Sequence, residues 1–80
     1  MPRLPRIEGA VLVAAMQRDG FQVARIKGSH YIMQKSFASG DTITVPVPVH
    51  RGTVLKVGTL NGILRLARID RERLLELLEG

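Results

Sequence analysis

The chain is 80 residues long and 45% hydrophobic, so it holds enough apolar side chains for a single domain, residues 1–80, but not for a second core. The absence of cysteine excludes a disulfide framework and a thiolate metal site. The net charge of +5 favours a polyanion such as nucleic acid as a partner, although basic surfaces also serve solubility.

The N-terminal segment, Met1 to Arg6, places two arginines among prolines and lacks the apolar run of a signal peptide. No stretch of the chain approaches the length of a transmembrane helix. We therefore expect a cytoplasmic protein without a membrane partner. Residues 1–6 form an extension that is either disordered or contacts a partner.

The first predicted element is a helix between Ile7 and Asp19, because its apolar residues recur at helical spacing and Gly20 can end it in the left-handed conformation. Two strands follow, Phe21 to Lys27 and His30 to Lys35, in which polar and apolar residues alternate. The two residues between them, Gly28-Ser29, suit a tight hairpin with a positive φ at glycine.

A third strand is predicted from Thr42 to Val45, and Pro46 and Pro48 behind it indicate a sheet edge or an exit from the sheet. The second helix is expected after Gly58, with Thr59 as its N-cap, because four apolar residues repeat at helical spacing: Leu60, Ile63, Leu64 and Ala67. Asp70 is a good N-cap for a short extra helix at the C-terminus. This order predicts an α+β domain, a sheet covered by helices.

The hairpin places charged residues together on one face of the sheet. A two-residue loop makes Lys27 and His30 directly opposed, and the period of two adds Arg25 and Gln34 to their face. RNA carries its own nucleophile, the 2′-hydroxyl, so a cleaving enzyme needs mainly a base, an acid for the leaving group and cations around the phosphate. No metal or cofactor is required for such a reaction.

Strict alternation also puts Val23 and Ile32 on this cationic face and Lys35 on the apolar face. We expect irregularity at the strand ends and the twist of the strands to permit these three exceptions. Arg51 and Arg65 extend the basic surface or are merely solvated. The residues that we select as candidates for contact with RNA phosphate are Arg25, Lys27, Ser29, Lys35 and Lys56.

Each histidine has more than one interpretation. His30 is either an ordinary strand residue after a turn or a proton-transfer residue. His50 is an exposed loop residue, a hydrogen-bonding strut or a second acid, and we favour the structural role. Gly28 and Gly58 are interpreted as turn residues. The two histidines stand in separate segments among scattered carboxylates, so we predict no metal site.

Four segments, in order and spacing, resemble the HicA family of toxins: Gly20-Phe21, Gly28-Ser29-His30-Tyr31, Val47-Pro48-Val49-His50 and Gly58-Thr59-Leu60 with Ile63-Leu64. The resemblance covers about Val11 to Leu78. The chain departs from the pattern in its doubled Val-Pro unit, in Asn61, where a basic residue is common, and in Gly62, which weakens the second helix.

The resemblance implies a fold like that of double-stranded-RNA-binding domains and an activity as an mRNA interferase, an endoribonuclease that cleaves messenger RNA. By position, the family's catalytic histidine falls on His30. The implied partner is a HicB-like antitoxin that is expected to cover the exposed His30 face or to block the approach of RNA. Two alternatives remain open, namely a noncatalytic module that binds double-stranded RNA and a protein-binding domain whose charge matches an acidic partner.

Overall fold

The computed structural model describes residues 3–80 and confirms an α+β fold with a helix, three antiparallel strands and two further helices. The elements are α1 (Gly9–Arg18), β1 (Gln22–Lys27), β2 (His30–Ser36), β3 (Thr42–Pro48), α2 (Val57–Ala67) and α3 (Arg71–Glu79). The strand order in the sheet is β1-β2-β3, so β1 and β3 are its two edges. The additional C-terminal helix expected from the sequence is therefore α3.

The sheet has helices on one face only. Its covered face contributes Met33, Val45 and Val47 to the core, where they are fully buried among apolar residues of all three helices. The alternate residues of the strands point the other way. Gln34 and Thr44, for example, are exposed. The domain therefore presents an uncovered sheet face to its surroundings, which we call the open face.

A β-bulge in β1 changes which face of the sheet its side chains lie on, compared with simple alternation. Val23 pairs with Met33 and Arg25 pairs with Ile32, so Ala24 is the extra residue. The bulge returns Val23 to the core side and keeps Arg25 on the open face. The expectation that Val23 joins the cationic face is therefore wrong, whereas Ile32 does lie there.

Strand β3 continues through both prolines and ends three residues later than the sequence pattern suggested. Beyond its end, the Val49 backbone N–H donates to the Ser29 carbonyl at 2.7 Å, so this register directs the N–H groups of Val47 and Val49 toward β2. Pro46 and Pro48 point their nitrogens to the free edge, where the missing N–H breaks no ladder bond. The prolines thus mark an edge strand, as predicted, but do not end it.

The second helix begins earlier than expected. Lys56 occupies the N-cap position of α2, and its carbonyl accepts the first helical bond from the Leu60 N–H at 2.9 Å. Thr59 therefore lies inside the first turn and does not cap the helix. Gly58, interpreted as a turn residue, is also helical and has no positive φ. For α3 the prediction is confirmed, because the Asp70 carboxylate accepts from the Arg73 N–H at 2.8 Å.

Charged groups at the end of α1 attach it to β2 and α3. Asp19 accepts from Lys35 Nζ and from Arg73 Nε, both at 3.0 Å, with its side chain only 10% exposed. Next to it, Arg18 donates to the Leu77 carbonyl near the C-terminus of α3 at 2.7 Å. The short last helix is thus fixed by polar bonds as well as by its buried leucines.

The predicted N-terminal extension, residues 1–6, falls partly outside the described residues. From Arg3 onward the chain runs along the helical side of the domain, where Arg71 Nε donates to the Arg3 carbonyl at 3.2 Å. Leu4 and Ile7 pack against the core. Within residues 3–80, no helix combines the length and the apolar character needed to span a bilayer.

Candidate active site

The strands that form the open face carry basic side chains and no acidic ones. Arg25 and Lys27 of β1 are exposed on this face, and among residues 3–80 neither makes an ion pair. An approaching phosphate would meet cations there without competition from neighbouring carboxylates.

The Gly28-Ser29 turn positions the histidine. Gly28 has a φ of +60°, while Ser29 has no positive φ, which is the pattern of a type II′ hairpin turn. This turn leaves Lys27 and His30 as the last pair of the β1–β2 ladder. Both side chains are exposed on the open face. The predicted pairing is therefore confirmed, while the chemical roles of the two residues stay predictions.

His50 lies at the same end of the sheet as His30. Its Nε2 is 3.5 Å from the Ser29 Oγ, and the residue is exposed, so the three interpretations of His50 all stay open. Sequence reasoning left this proximity out because it ended β3 too early. The available signal was the alternation of Val45 and Val47 with prolines, which continues the strand toward His50 and aligns the histidine with the Gly28-Ser29 turn.

The loop between β3 and α2, residues 49–56, is held at several points by backbone bonds. The Gly52 N–H donates to the Glu8 carboxylate at 3.0 Å, and the Leu55 N–H donates to the Ile7 carbonyl at 2.8 Å. Within the loop, the Thr53 N–H donates to the His50 carbonyl at 3.1 Å. The backbone at His50 is thus fixed independently of its imidazole.

A shallow pocket of ≈ 150 Å³ opens beside His50. Its lining comes from the end of β3, the following loop and the start of α2, and consists of Pro48, His50, Thr53, Val54, Leu55, Lys56 and Thr59. Lys56, one of the predicted phosphate-binding residues, is the cation of this pocket. The sequence placed Lys56 in the basic surface but gave no indication that it shares a pocket with His50.

Lys35 does not belong to this group. It lies on the helix-covered face, where its ammonium bonds Asp19 and stands 5.6 Å from the centre of the Phe21 ring and 5.2 Å from that of Phe37. Its side chain is 24% exposed. Alternation in β2 turns Lys35 away from His30, so we do not expect it to share a phosphate with the Lys27–His30 pair, and its contacts give it a structural role.

A larger groove of ≈ 590 Å³ lies on the helical side of the domain, where sequence reasoning predicted no site. It is lined by Arg3, Leu4, Arg6, Val57, Asn61 and Arg71. No histidine lines it, so the groove is not part of the site around His30. Arg51 and Arg65 are exposed and line neither the groove nor the pocket beside His50. Across residues 3–80, no three histidine, aspartate or glutamate side chains converge on a common metal position.

Comparison with known families assigns the chain. Residues 9–69 match the family described as the HicA toxin of bacterial toxin–antitoxin systems, which is more than half of the sequence. The chain therefore belongs to the HicA toxin family, as its four segments suggested, and an antitoxin is implied as its partner. No curated protein matches the chain. The matched region includes the open face, both histidines and the whole of α2, whereas α3 lies outside it.

Proposed function

We propose that this toxin is a metal-independent endoribonuclease that cleaves messenger RNA in the cytoplasm, with His30 as a proton-transfer residue. The observation that carries the proposal is the exposed Lys27–His30 pair at the hairpin end of a sheet face that has no carboxylates. A histidine that is open to solvent is accessible to a substrate as a general base or acid, and the neighbouring cation favours a phosphate ligand.

The reaction follows from the chemistry of RNA. His30 accepts the proton of the 2′-hydroxyl, whose oxygen attacks the adjacent phosphorus. The bond between phosphorus and the 5′-oxygen breaks, which leaves a 2′,3′-cyclic phosphate on one fragment and a 5′-hydroxyl on the other once the leaving oxygen gains a proton. Lys27 and Arg25 stabilise the charge that develops on the phosphate, and Ser29 donates a hydrogen bond to it.

The same surface suits control by an antitoxin. The implied partner is a HicB-like antitoxin that covers the open face and thereby keeps RNA away from His30. Acidic groups on that protein would complement Arg25 and Lys27, which have no intramolecular ion pairs among the described residues.

The test compares purified wild-type protein with His30→Ala on a mixed-sequence RNA in the presence of a chelator, with the matching DNA as a control. Wild type is expected to release fragments that end in cyclic phosphate and to leave the DNA intact. His30→Ala should slow cleavage by about 10²–10⁴-fold, the usual contribution of a general base or acid. Equal thermal unfolding of both proteins shows that the loss is chemical.

A matched variant separates charge from chemistry. Arg65→Ala removes one exposed cation from α2 without touching the open face, and it should cleave at nearly the wild-type rate. RNA binding without cleavage by wild type would support the noncatalytic module instead. The absence of RNA binding would favour a protein-binding domain, and unchanged turnover in His30→Ala would overturn the assignment of His30.

A further inference from the structure

His50 is the second histidine of the chain, and the proposed reaction has a step for which His30 is poorly placed. A base that takes the 2′-proton lies on the side of the attacking oxygen, whereas the leaving 5′-oxygen departs from the opposite side of the phosphorus. We infer that His50 is a catalytic residue that protonates this leaving oxygen, and that the pocket beside it receives the departing nucleotide. This inference rests on the proposed function.

The sheet register brings the backbones of the two histidines to the same end of the sheet. Pro48 is paired with His30, and His50 follows two residues later. With strands about 4.8 Å apart and a rise of about 3.3 Å per residue, the Cα atoms of the two histidines are separated by about 8 Å. Ser29 directly precedes His30 in the chain, and its Oγ is 3.5 Å from His50 Nε2. A phosphate at this serine would therefore lie beside the His50 ring and one residue away from His30.

The backbone of the loop does not depend on the His50 ring. His50 is exposed, and the side-chain contact given above, with Ser29 Oγ, is long for a hydrogen bond. The loop is held instead by the backbone bonds of Gly52 and Leu55 to residues 7 and 8. An exposed imidazole on a fixed backbone can come within hydrogen-bond reach of a substrate oxygen, as a general acid must.

The pocket supplies the remaining group that the leaving side requires. Lys56 lines it together with His50 and Thr59, so a cation and a hydroxyl are available for the phosphate that follows the scissile one. The carboxylate of Glu8 contacts this loop, but it accepts a hydrogen bond from the Gly52 N–H. The pocket therefore offers a cation and a hydroxyl to the downstream phosphate of the 5′-hydroxyl fragment of RNA.

The experiment uses a leaving group that needs no acid. Two RNA oligonucleotides contain the same cleavage site, mapped beforehand on the mixed RNA; one has the normal 5′-oxygen and the other has sulfur at this bridging position. Thiolate leaves without protonation, so it bypasses a general acid. His50→Ala should cleave the normal RNA about 10²–10³-fold more slowly than wild type but the sulfur-containing RNA within about tenfold of wild type. His30→Ala should stay slow on both.

Two control variants exclude a structural explanation. His50→Gln can keep a hydrogen bond to Ser29 but cannot transfer a proton at neutral pH, so it should behave like His50→Ala. Arg51→Ala changes the adjacent residue of the same loop and should retain wild-type rates on both substrates. Recovery of normal cleavage in His50→Gln would instead show that His50 acts only as a hydrogen-bonding strut.

The remaining outcomes also decide the matter. Equal slowing of His50→Ala on both substrates would overturn the leaving-group role, and unchanged cleavage of the normal RNA would remove His50 from the mechanism altogether. Either result leaves the proposed function standing if His30→Ala is still inactive. Failure of wild type on both substrates would overturn the ribonuclease proposal itself, and the inference about His50 with it.

Discussion

Two glycines of this chain should respond oppositely to the same substitution. Gly9, the first residue of α1, is buried against the end of β3, and a Cβ added to it would overlap the Pro48 carbonyl, with Pro48 C at 3.0 Å and Val49 Cα at 3.1 Å. All three atoms are backbone, so no side chain can rotate out of the way. Gly62 lies within α2, and a Cβ there would meet no atom within 4 Å other than the nearby backbone of its own helix.

The magnitudes follow from these environments. Gly9→Ala forces α1 away from β3, and overpacking of this kind costs about 1–3 kcal/mol, of which a gain in helix propensity offsets less than about 1 kcal/mol. Gly62→Ala has only the propensity gain, about 1 kcal/mol. In a domain of this size, 1 kcal/mol changes the melting temperature by about 4–8 °C. We therefore expect Gly9→Ala to melt lower and Gly62→Ala to melt higher than wild type.

Thermal and urea unfolding, followed by circular dichroism, measure both variants against wild type. The two melting temperatures should move in opposite directions, with an unchanged urea m-value showing that the unfolded state is the same. A Gly9→Ala protein as stable as wild type would refute the close approach of α1 to Pro48. Destabilisation by Gly62→Ala would refute the open, helical environment of that glycine.

Two further predictions concern charged residues. Lys27→Ala removes one phosphate contact, so it should weaken RNA binding and lower the slope of the logarithm of the RNA-binding constant against log salt by about 0.7. Lys35→Ala should leave that slope unchanged. It should instead lower the free energy of unfolding by about 1 kcal/mol, because the bond to Asp19 is lost. Filter binding at several salt concentrations and thermal melts distinguish the two, and identical slopes for both variants would contradict the assignment of faces. Asp70→Ala should cost about 1 kcal/mol by removing the N-cap of α3, which urea unfolding measures against Asp70→Asn, a substitution that keeps a capping oxygen.

Local sequence signals were sufficient for much of this fold. The Gly28-Ser29 turn set the hairpin register and therefore the pairing of Lys27 with His30, because turn length fixes register in a two-residue hairpin. The N-cap at Asp70 was also predictable from the neighbouring sequence alone, because its bond is to Arg73, three residues away. Features decided by tertiary contacts were not accessible in this way. The bulge at Ala24, for example, exists because Val23 gains burial when it faces the core.

The candidate site was predicted only in part for the same reason. Proline was taken as the end of β3, but an edge strand tolerates it when its nitrogen faces outward. That error hid the position of His50 next to Ser29. Lys35 was selected for its charge, whereas alternation along β2 had already placed it on the covered face, where Asp19 and two aromatic rings surround it.

The outward prolines of β3 also govern how copies of this chain can associate. A free strand edge is a template on which another chain can add a strand, and repeated addition at both edges produces fibrils. At Pro46 and Pro48 an incoming strand would find two successive outward positions without a hydrogen-bond donor. Addition at the β3 edge is therefore disfavoured at these two positions, whereas the β1 edge contains no proline.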